Sequence, residues 1–317
     1  MKNVIVTTNL PKEGFAQLGA DYHVIFPKKE TFSRNELLQL LPTANVLVSA
    51  FNYKIDSELI AASNQLKLIA NFGVGFNNID LQAASKRGIV VTNTPAPVIE
   101  PTAEQAMNLM LAVSRRTAEL DRKLRQTDTV RFGVMTNLGK SLYGKTLGII
   151  GMGNIGQAIA TRASAFGMKI VYNKRTPLNK ATEMRYKAVY LPFDELLRKS
   201  DIISLNVPYS AATHHLISEK EFAMMKDDCI LINTARGAII DEAALINNLK
   251  NGKLWGAGLD VFEFEPIISK ELLQLDNVVL APHVGTATIE CRIEMAQAVA
   301  QNINYFYSND ARINRVN

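Results

Sequence analysis

One stretch of this chain leaves little freedom in how it can fold. Thr146-Leu147-Gly148-Ile149-Ile150 has the apolar character of a buried strand and runs straight into Gly151-Met152-Gly153-Asn154-Ile155-Gly156. Gln157-Ala158-Ile159-Ala160-Thr161-Arg162-Ala163 then reads as a helix. Glycine turns of this spacing are common, but a strand before and a helix after make a dinucleotide-binding turn the expectation. The first glycine permits the tight turn, the second lets backbone approach a pyrophosphate, and the third lets helix pack on strand. The helix start offers unbonded N–H groups and a positive dipole end to phosphates. Gly151, Gly153, Asn154, Ile155 and Gly156 are therefore candidate cofactor-binding residues.

In such a unit an acid about 20 residues further on, at the end of the second strand, binds the ribose 2′-hydroxyl. Here the strand Lys169-Ile170-Val171-Tyr172 ends in Asn173-Lys174-Arg175-Thr176, with no carboxylate. Asn173 and two cations, Lys174 and Arg175, stand where a 2′-phosphate would lie, which favours NADP as cofactor while leaving NAD possible. The competing reading is a solvated basic turn.

The 317 residues exceed the usual single-domain size, so two domains are expected. A hydrophobic content of 47% and a charged content of 21% describe an ordinary globular protein. The start, Met1-Lys2-Asn3-Val4-Ile5-Val6-Thr7-Thr8-Asn9, turns polar too early for a signal peptide, and no run reaches the ~20 apolar residues of a bilayer span. Cys229 and Cys291 form neither a disulfide framework nor a metal-ligand spacing. These features fit a cytoplasmic protein with no membrane partner and no bound metal. The net charge of +5 is spread along the chain and gives no argument for nucleic acid.

The first ~95 residues alternate strand and helix. Strands are expected at Val4–Thr7, His23–Phe26, Val46–Ala50, Leu66–Asn71 and Ile89–Asn93. Helices are expected at Pro11–Leu18, Asn35–Leu41, Ser57–Ala62 and Leu81–Lys86. A second series starts at Thr146 and continues through strands Ile202–Val207, Cys229–Thr234, Trp255–Val261 and Val278–Ala281, with helices Phe193–Lys199, Glu219–Met225 and Glu242–Lys250. Alternation of this kind predicts two doubly wound α/β units, each with a parallel sheet covered on both faces. Longer apolar periods predict helices from Thr102 to about Leu120 and from Ala287 to about Tyr307, where they could serve as hinges between units.

In doubly wound sheets ligands lie beyond the carboxyl ends of the strands, so the strand ends are where chemistry is sought. Three successive ends carry an arginine, a carboxylate and a histidine: Asn233-Thr234-Ala235-Arg236-Gly237, Glu263-Phe264-Glu265-Pro266 and Pro282-His283-Val284-Gly285-Thr286. Reduction of a 2-oxo acid needs these groups. Planar guanidinium suits a carboxylate and a polarised carbonyl. Histidine suits proton donation near neutrality, and a neighbouring carboxylate favours its charged form and orients the ring. Arg236 and His283 fill the first two roles. On spacing alone Glu263 and Glu265 both qualify for the third, and His23, His214 and His215 read as surface or packing residues.

Over nearly its whole length the chain resembles the D-isomer-specific 2-hydroxyacid dehydrogenase family, most closely the glyoxylate/hydroxypyruvate reductase branch. The resemblance rests on Asn71-Phe72-Gly73-Val74-Gly75-Phe76-Asn77-Asn78-Ile79-Asp80, on Gly144 to Gly153, on Asn233 to Gly237, on Gly258-Leu259-Asp260-Val261-Phe262, and on Ala281 to Thr288. It implies a Rossmann cofactor domain, residues 101–284, inserted in a flavodoxin-like substrate domain formed by 1–100 and 285–317. It implies NAD(P)H-dependent reduction of a small 2-oxo acid to the D-2-hydroxy acid, with His283 as proton donor and Arg236, Glu265 and His283 as the catalytic set. It further implies that Val74 and Gly75 backbone N–H groups bind the substrate carboxylate beside Arg236. Thr102, Val207, Pro208, Thr213, Thr234, Ala235, Asp260 and His283 would line the cofactor, and the cofactor domain would form a homodimer.

The chain departs from the family pattern in three places. Asn154 stands where relatives often carry arginine, and Asn173-Lys174-Arg175 replaces the acid of NAD-dependent members. Phe51-Asn52-Tyr53, in the loop expected to shape the substrate pocket, has no cation for a phosphorylated substrate. That loop and the lack of length for a C-terminal regulatory domain argue against phosphoglycerate dehydrogenase, and the Glu–His pairing argues against formate dehydrogenase. Phe51, Tyr53 and Phe76 suggest an apolar-to-mixed pocket for glyoxylate or hydroxypyruvate, with bulkier aliphatic or aromatic 2-oxo acids as the alternative. A dinucleotide-sensing corepressor of the same fold is the reading from another class; it would bind cofactor without turnover.

Overall fold

The computed structural model describes residues 1–317 except Phe51, Asn52, Asp128, Val130 and Arg131. The chain forms two compact units, one from Met1–Val98 with Thr286–Asn317 and the other from Ile99–Gly285. Each is a parallel-sheet α/β structure. No helix among the described residues is long and apolar enough to cross a membrane.

In the first unit the strands are β1 (Lys2–Val6), β2 (Tyr22–Ile25), β3 (Val46–Ala50), β4 (Leu68–Phe72) and β5 (Val90–Thr92). They lie in the order β2-β1-β3-β4-β5, all parallel, which is the flavodoxin-like order. Every residue of β3 and β4 is buried, as required of strands covered on both faces. Ile5, Leu37, Leu47, Leu59, Ile69 and Val91 share one core, each such side chain contributing about 1.5–3 kcal/mol by leaving water. Tyr53 and Phe76, both partly buried, pack against that core.

The expected helix Pro11–Leu18 is only a 3-10 turn, Lys12–Phe15. Gly14 accounts for the difference, because a Cβ there would lie 2.3 Å from the Cβ of Ala296. The segment is shaped by close approach to the helix Ile289–Tyr307 rather than by its own periodicity. That helix starts where Thr288 Oγ1 accepts the Cys291 N–H at 3.1 Å, two residues later than its apolar pattern suggested.

The second unit contains β6 (Thr146–Ile150), β7 (Lys169–Asn173), β8 (Ala188–Tyr190), β9 (Ile202–Leu205), β10 (Cys229–Asn233), β11 (Leu254–Leu259) and β12 (Val278–Leu280). Their order is β12-β11-β10-β9-β6-β7-β8, all parallel. Counted from β6 this is the Rossmann order with one further strand. Alternate strand residues feed opposite faces: Leu231 joins a core with Leu205, Phe222 and Leu259, while Ile230 and Ile232 join Met110, Leu147 and Ile159. The sheet order reverses between β6 and β9, the point at which ligands of such sheets bind.

The helix expected from Thr102 to about Leu120 is two helices, Ile99–Ser114 and Thr117–Thr127. Arg116, with φ of 56°, breaks the chain direction between them. Its guanidinium then holds both oxygens of Glu119 at 2.6 and 2.8 Å, an acid placed in the first turn of the new helix where the dipole favours it. Strand β8 was not anticipated from sequence, since three residues are too short for a periodic signal.

Candidate active site

Three pieces of backbone leave the sheet of the second unit side by side. Gly151, at the end of β6, has φ of 97°, and a Cβ there would lie 2.6 Å from the Asn206 carbonyl oxygen beyond β9. A Cβ at Gly156 would lie 2.4 Å from the Gly151 carbonyl oxygen. Both glycines are thus required by the protein's own packing. Gly153 is different, because a Cβ there would meet nothing within 4 Å. It precedes the helix Asn154–Ala165 without any side-chain cap, and the first N–H bonded back across the turn is that of Gln157, to the Gly153 carbonyl at 2.9 Å. The first N–H groups of a helix lack partners within it, and beside Gly153, where the space is open, phosphate oxygens could satisfy them.

Two buried polar atoms nearby also lack partners. Thr234 Oγ1, just past β10, and Asn206 Oδ1, just past β9, have no hydrogen-bond partner. Orphaned polar atoms are costly in a finished interior and ordinary where a ligand completes them. The open cradle at Gly153 and these two atoms fit a dinucleotide. Thr102, 6% exposed, and Asp260, 1% exposed, adjoin Gly285 in the same unit. Thr213 Oγ1 donates to the Pro208 carbonyl at 2.8 Å, closing the loop that starts at Val207.

The basic turn after β7 is arranged less simply than its sequence suggests. The Asn173 amide donates one hydrogen to the Leu191 carbonyl at 2.9 Å, which leaves its second N–H and its oxygen for other partners. Lys174 is partly buried and Arg175 is exposed. The cationic groups this turn offers are those two side chains.

At the exit of β10, Asn233 ties the turn together: its Oδ1 accepts the Ala235 N–H at 3.0 Å, and its Nδ2 donates to the Arg236 carbonyl at 2.9 Å. Arg236 Nη1 donates to the Ala235 carbonyl at 2.6 Å. Burial pulls the pKa of this guanidinium down and the charge of Glu265 opposes that pull; an arginine so placed stays charged at neutral pH. At the exit of β11, Asp260 accepts the N–H groups of Val284 and Gly285 at 2.8 and 2.7 Å. Burial pushes the Asp260 carboxyl pKa up despite these bonds. The clamp fixes the two residues that follow His283, which itself sits at φ of 55°, a conformation few non-glycine residues adopt.

His283 Nδ1 lies 3.0 Å from Glu265 Oε2, and Glu265 Oε1 accepts the Phe262 N–H at 2.9 Å. Glu265 is thus the carboxylate beside His283. Glu263 instead lies 2.6 Å from His215 Nε2 and accepts the Glu242 N–H at 3.0 Å. The pairing of His215 was missed from sequence; 48 residues separate it from Glu263, and no local pattern joins them.

In the first unit, the turn after β4 has its carbonyls occupied by amides. Asn71 Nδ2 donates to the Gly73 and Gly75 carbonyls at 3.1 and 2.8 Å, and Asn93 Nδ2 donates to the Val74 carbonyl at 2.9 Å. With these three carbonyls already bonded, the backbone N–H groups of Val74 and Gly75 are the turn's candidate donors to an anion such as a carboxylate. Val74 is 37% exposed. Phe51 and Asn52, the other expected substrate-binding residues, lie outside the described residues.

Residues 107–285 match the NAD-binding domain of the D-isomer-specific 2-hydroxyacid dehydrogenases. Glyoxylate reductase of Thermococcus litoralis is 45% identical over 319 residues, covering 99% of this chain and 96% of its own. A crystal structure of a Thermus thermophilus protein superposes with a TM-score of 0.92 at 37% identity, covering 99% of this chain and 100% of that one. The NADPH-dependent glyoxylate/hydroxypyruvate reductase of Sinorhizobium meliloti, solved with NADP and malonate, gives a TM-score of 0.86 at 32% identity over 99% of this chain and 96% of that one.

Proposed function

The chain belongs to the D-isomer-specific 2-hydroxyacid dehydrogenase family, and from that premise we propose that it reduces a small 2-oxo acid, glyoxylate or hydroxypyruvate, to the D-2-hydroxy acid with NADPH. The observation that carries the proposal is the His283–Glu265 pair, held 3.0 Å apart in the unit that also contains the Gly153 cradle and Arg236. In this reading Gly151, Gly153, Asn154, Ile155 and Gly156 receive the pyrophosphate, and Thr234 and Asp260 lie along the rest of the dinucleotide. Lys174 and Arg175 meet the 2′-phosphate. A dinucleotide held there would supply hydride for the substrate's carbonyl carbon.

The chain's own groups do the remaining work. Val74 and Gly75 N–H groups hold the substrate carboxylate. Arg236 polarises the carbonyl, a role in which its partial desolvation strengthens its field. Glu265 orients the His283 ring through Nδ1, so that Nε2 carries the proton given to the carbonyl oxygen. The relatives named as glyoxylate reductases support glyoxylate as first choice. We further expect a homodimer in the cytoplasm; Phe132, Val134 and Met135 of the second unit are 91, 93 and 77% exposed, apolar side chains that a partner subunit would cover.

The test is a panel of glyoxylate, hydroxypyruvate, pyruvate, phenylpyruvate and 3-phosphohydroxypyruvate, each with NADPH and NADH, followed by chiral analysis of the product. Highest kcat/KM for glyoxylate or hydroxypyruvate with NADPH, and a D product where the product is chiral, is the expected result. Exclusive use of 3-phosphohydroxypyruvate would overturn the substrate assignment. Cofactor binding without turnover of any oxo acid would point to a sensor.

A further inference from the structure

Glu263 stands two residues before Glu265 on the same loop and faces another histidine. Its Oε1 lies 2.6 Å from His215 Nε2, its Oε2 accepts the Glu242 N–H at 3.0 Å, and its own N–H donates to Glu242 Oε2 at 3.1 Å. Ser269 adds a hydroxyl donated to the other Glu242 oxygen. The Glu263 side chain is only 10% exposed, and a carboxylate so buried is tolerated only when its oxygens are bonded.

His215 connects three segments. It closes the loop that follows β9, two residues beyond Thr213. Its N–H donates at 2.9 Å to the carbonyl of Ala238, in the turn that follows Arg236. Its ring holds Glu263. Gly237 presses the last two segments together, since a Cβ there would lie 1.8 Å from the Phe262 carbonyl carbon and 2.3 Å from the Glu263 nitrogen. Arg236 and Glu265 therefore sit on backbone that meets at Gly237 and is braced by His215.

We propose that His215 and Glu263 form a second histidine–carboxylate pair that positions Arg236 and Glu265, so that Glu265 meets His283 in the orientation proton transfer needs. The inference rests on the 2-oxo acid reductase reading above. A misplacement of about 1 Å in reacting groups costs up to roughly 100-fold in rate, and Glu263 stands only two residues before Glu265.

The experiment compares His215→Ala with His215→Gln, whose amide can still donate to Glu263. In His215→Ala, kcat for glyoxylate should fall about 10- to 100-fold while KM for the dinucleotide changes little, and His215→Gln should recover most of the loss. Imidazole NMR supplies a readout independent of turnover: the His283 signal, identified by its disappearance in His283→Ala, should move in His215→Ala and return in His215→Gln. An unmoved His283 signal, or a wild-type kcat in His215→Ala accompanied only by a lower melting temperature, overturns the proposal. A wild-type enzyme that reduces no 2-oxo acid, but whose His283 signal responds as described, would place the fault in the reaction and not in the positioning pair.

Discussion

Glu265 holds His283 with one carboxylate oxygen and its own loop with the other: Oε2 lies 3.0 Å from Nδ1, and Oε1 takes the Phe262 N–H at 2.9 Å. The carboxylate cannot swing away from the ring without losing the backbone bond, so the orientation of His283 is set by the exit of β11. In the proposed reaction the proton is given by the other ring nitrogen, Nε2. His283→Ala should therefore lose roughly 10²–10⁴-fold in kcat, the usual contribution of a positioned acid. Steady-state kinetics on the folded variant checks this, and near wild-type turnover would remove His283 from the mechanism.

Glu265→Gln preserves shape and removes charge. Burial pushes the Glu265 carboxyl pKa up, but the bonds from His283 and the Phe262 N–H and the charges of His283 and Arg236 outweigh it, so the carboxyl is held below its ordinary range. For an acid with a depressed folded pKa, the stabilisation is fully present above the unfolded value, about 4.3, and is lost as pH falls through the folded value. Around neutrality the wild-type carboxylate is charged throughout. Its removal takes away the counter-charge of the imidazolium, and the alkaline limb of the kcat–pH profile should move to lower pH. A limb that stays in place would leave Glu265 with an orienting role alone.

The three glycines of the turn should separate fold from ligand. Gly156→Ala drives a Cβ to 2.4 Å from the Gly151 carbonyl oxygen and should destabilise by about 1–3 kcal/mol, the usual cost of overpacking. Gly153→Ala meets nothing within 4 Å and should leave stability within about 0.5 kcal/mol, yet weaken dinucleotide binding by blocking the approach of the pyrophosphate. Thermal melts paired with calorimetric titration of NADPH check both. Undiminished NADPH affinity in Gly153→Ala would place the pyrophosphate elsewhere.

Cofactor preference should follow Lys174 and Arg175. One charge-assisted contact contributes about 1.5–3 kcal/mol, a preference for NADPH of roughly 10- to 150-fold. Asn173→Asp combined with Arg175→Ala should shift the kcat/KM ratio toward NADH, chiefly through a higher KM for NADPH. The double variant also loses the bond from the Asn173 amide to the Leu191 carbonyl, so its melting temperature should fall as well. Equal kcat/KM with both cofactors in the unaltered enzyme would reduce the cations to a solvated turn.

Much of the architecture was legible in the linear chain because its signals are local. The buried runs of β3, β4 and β10, the glycine turn at 151–156 and the polar residues at successive strand ends each lie within a few residues, and turn chemistry and periodicity act over that range. What the chain alone could not decide depends on residues far apart in sequence. Glu263 and Glu265 share a loop and a residue type; what separates them is their partners from distant segments, His215 and the Glu242 N–H for one and His283 for the other. Pro11–Leu18 has helical periodicity but yields a 3-10 turn, because Gly14 must pass within contact of Ala296, 282 residues away. The sequence at Asn173 shows only the missing acid; that one of its amide hydrogens ties it to the Leu191 carbonyl, 18 residues on, is a feature of the folded sheet. Packing and hydrogen-bond satisfaction are settled between segments, so these choices existed only once the sheets had formed.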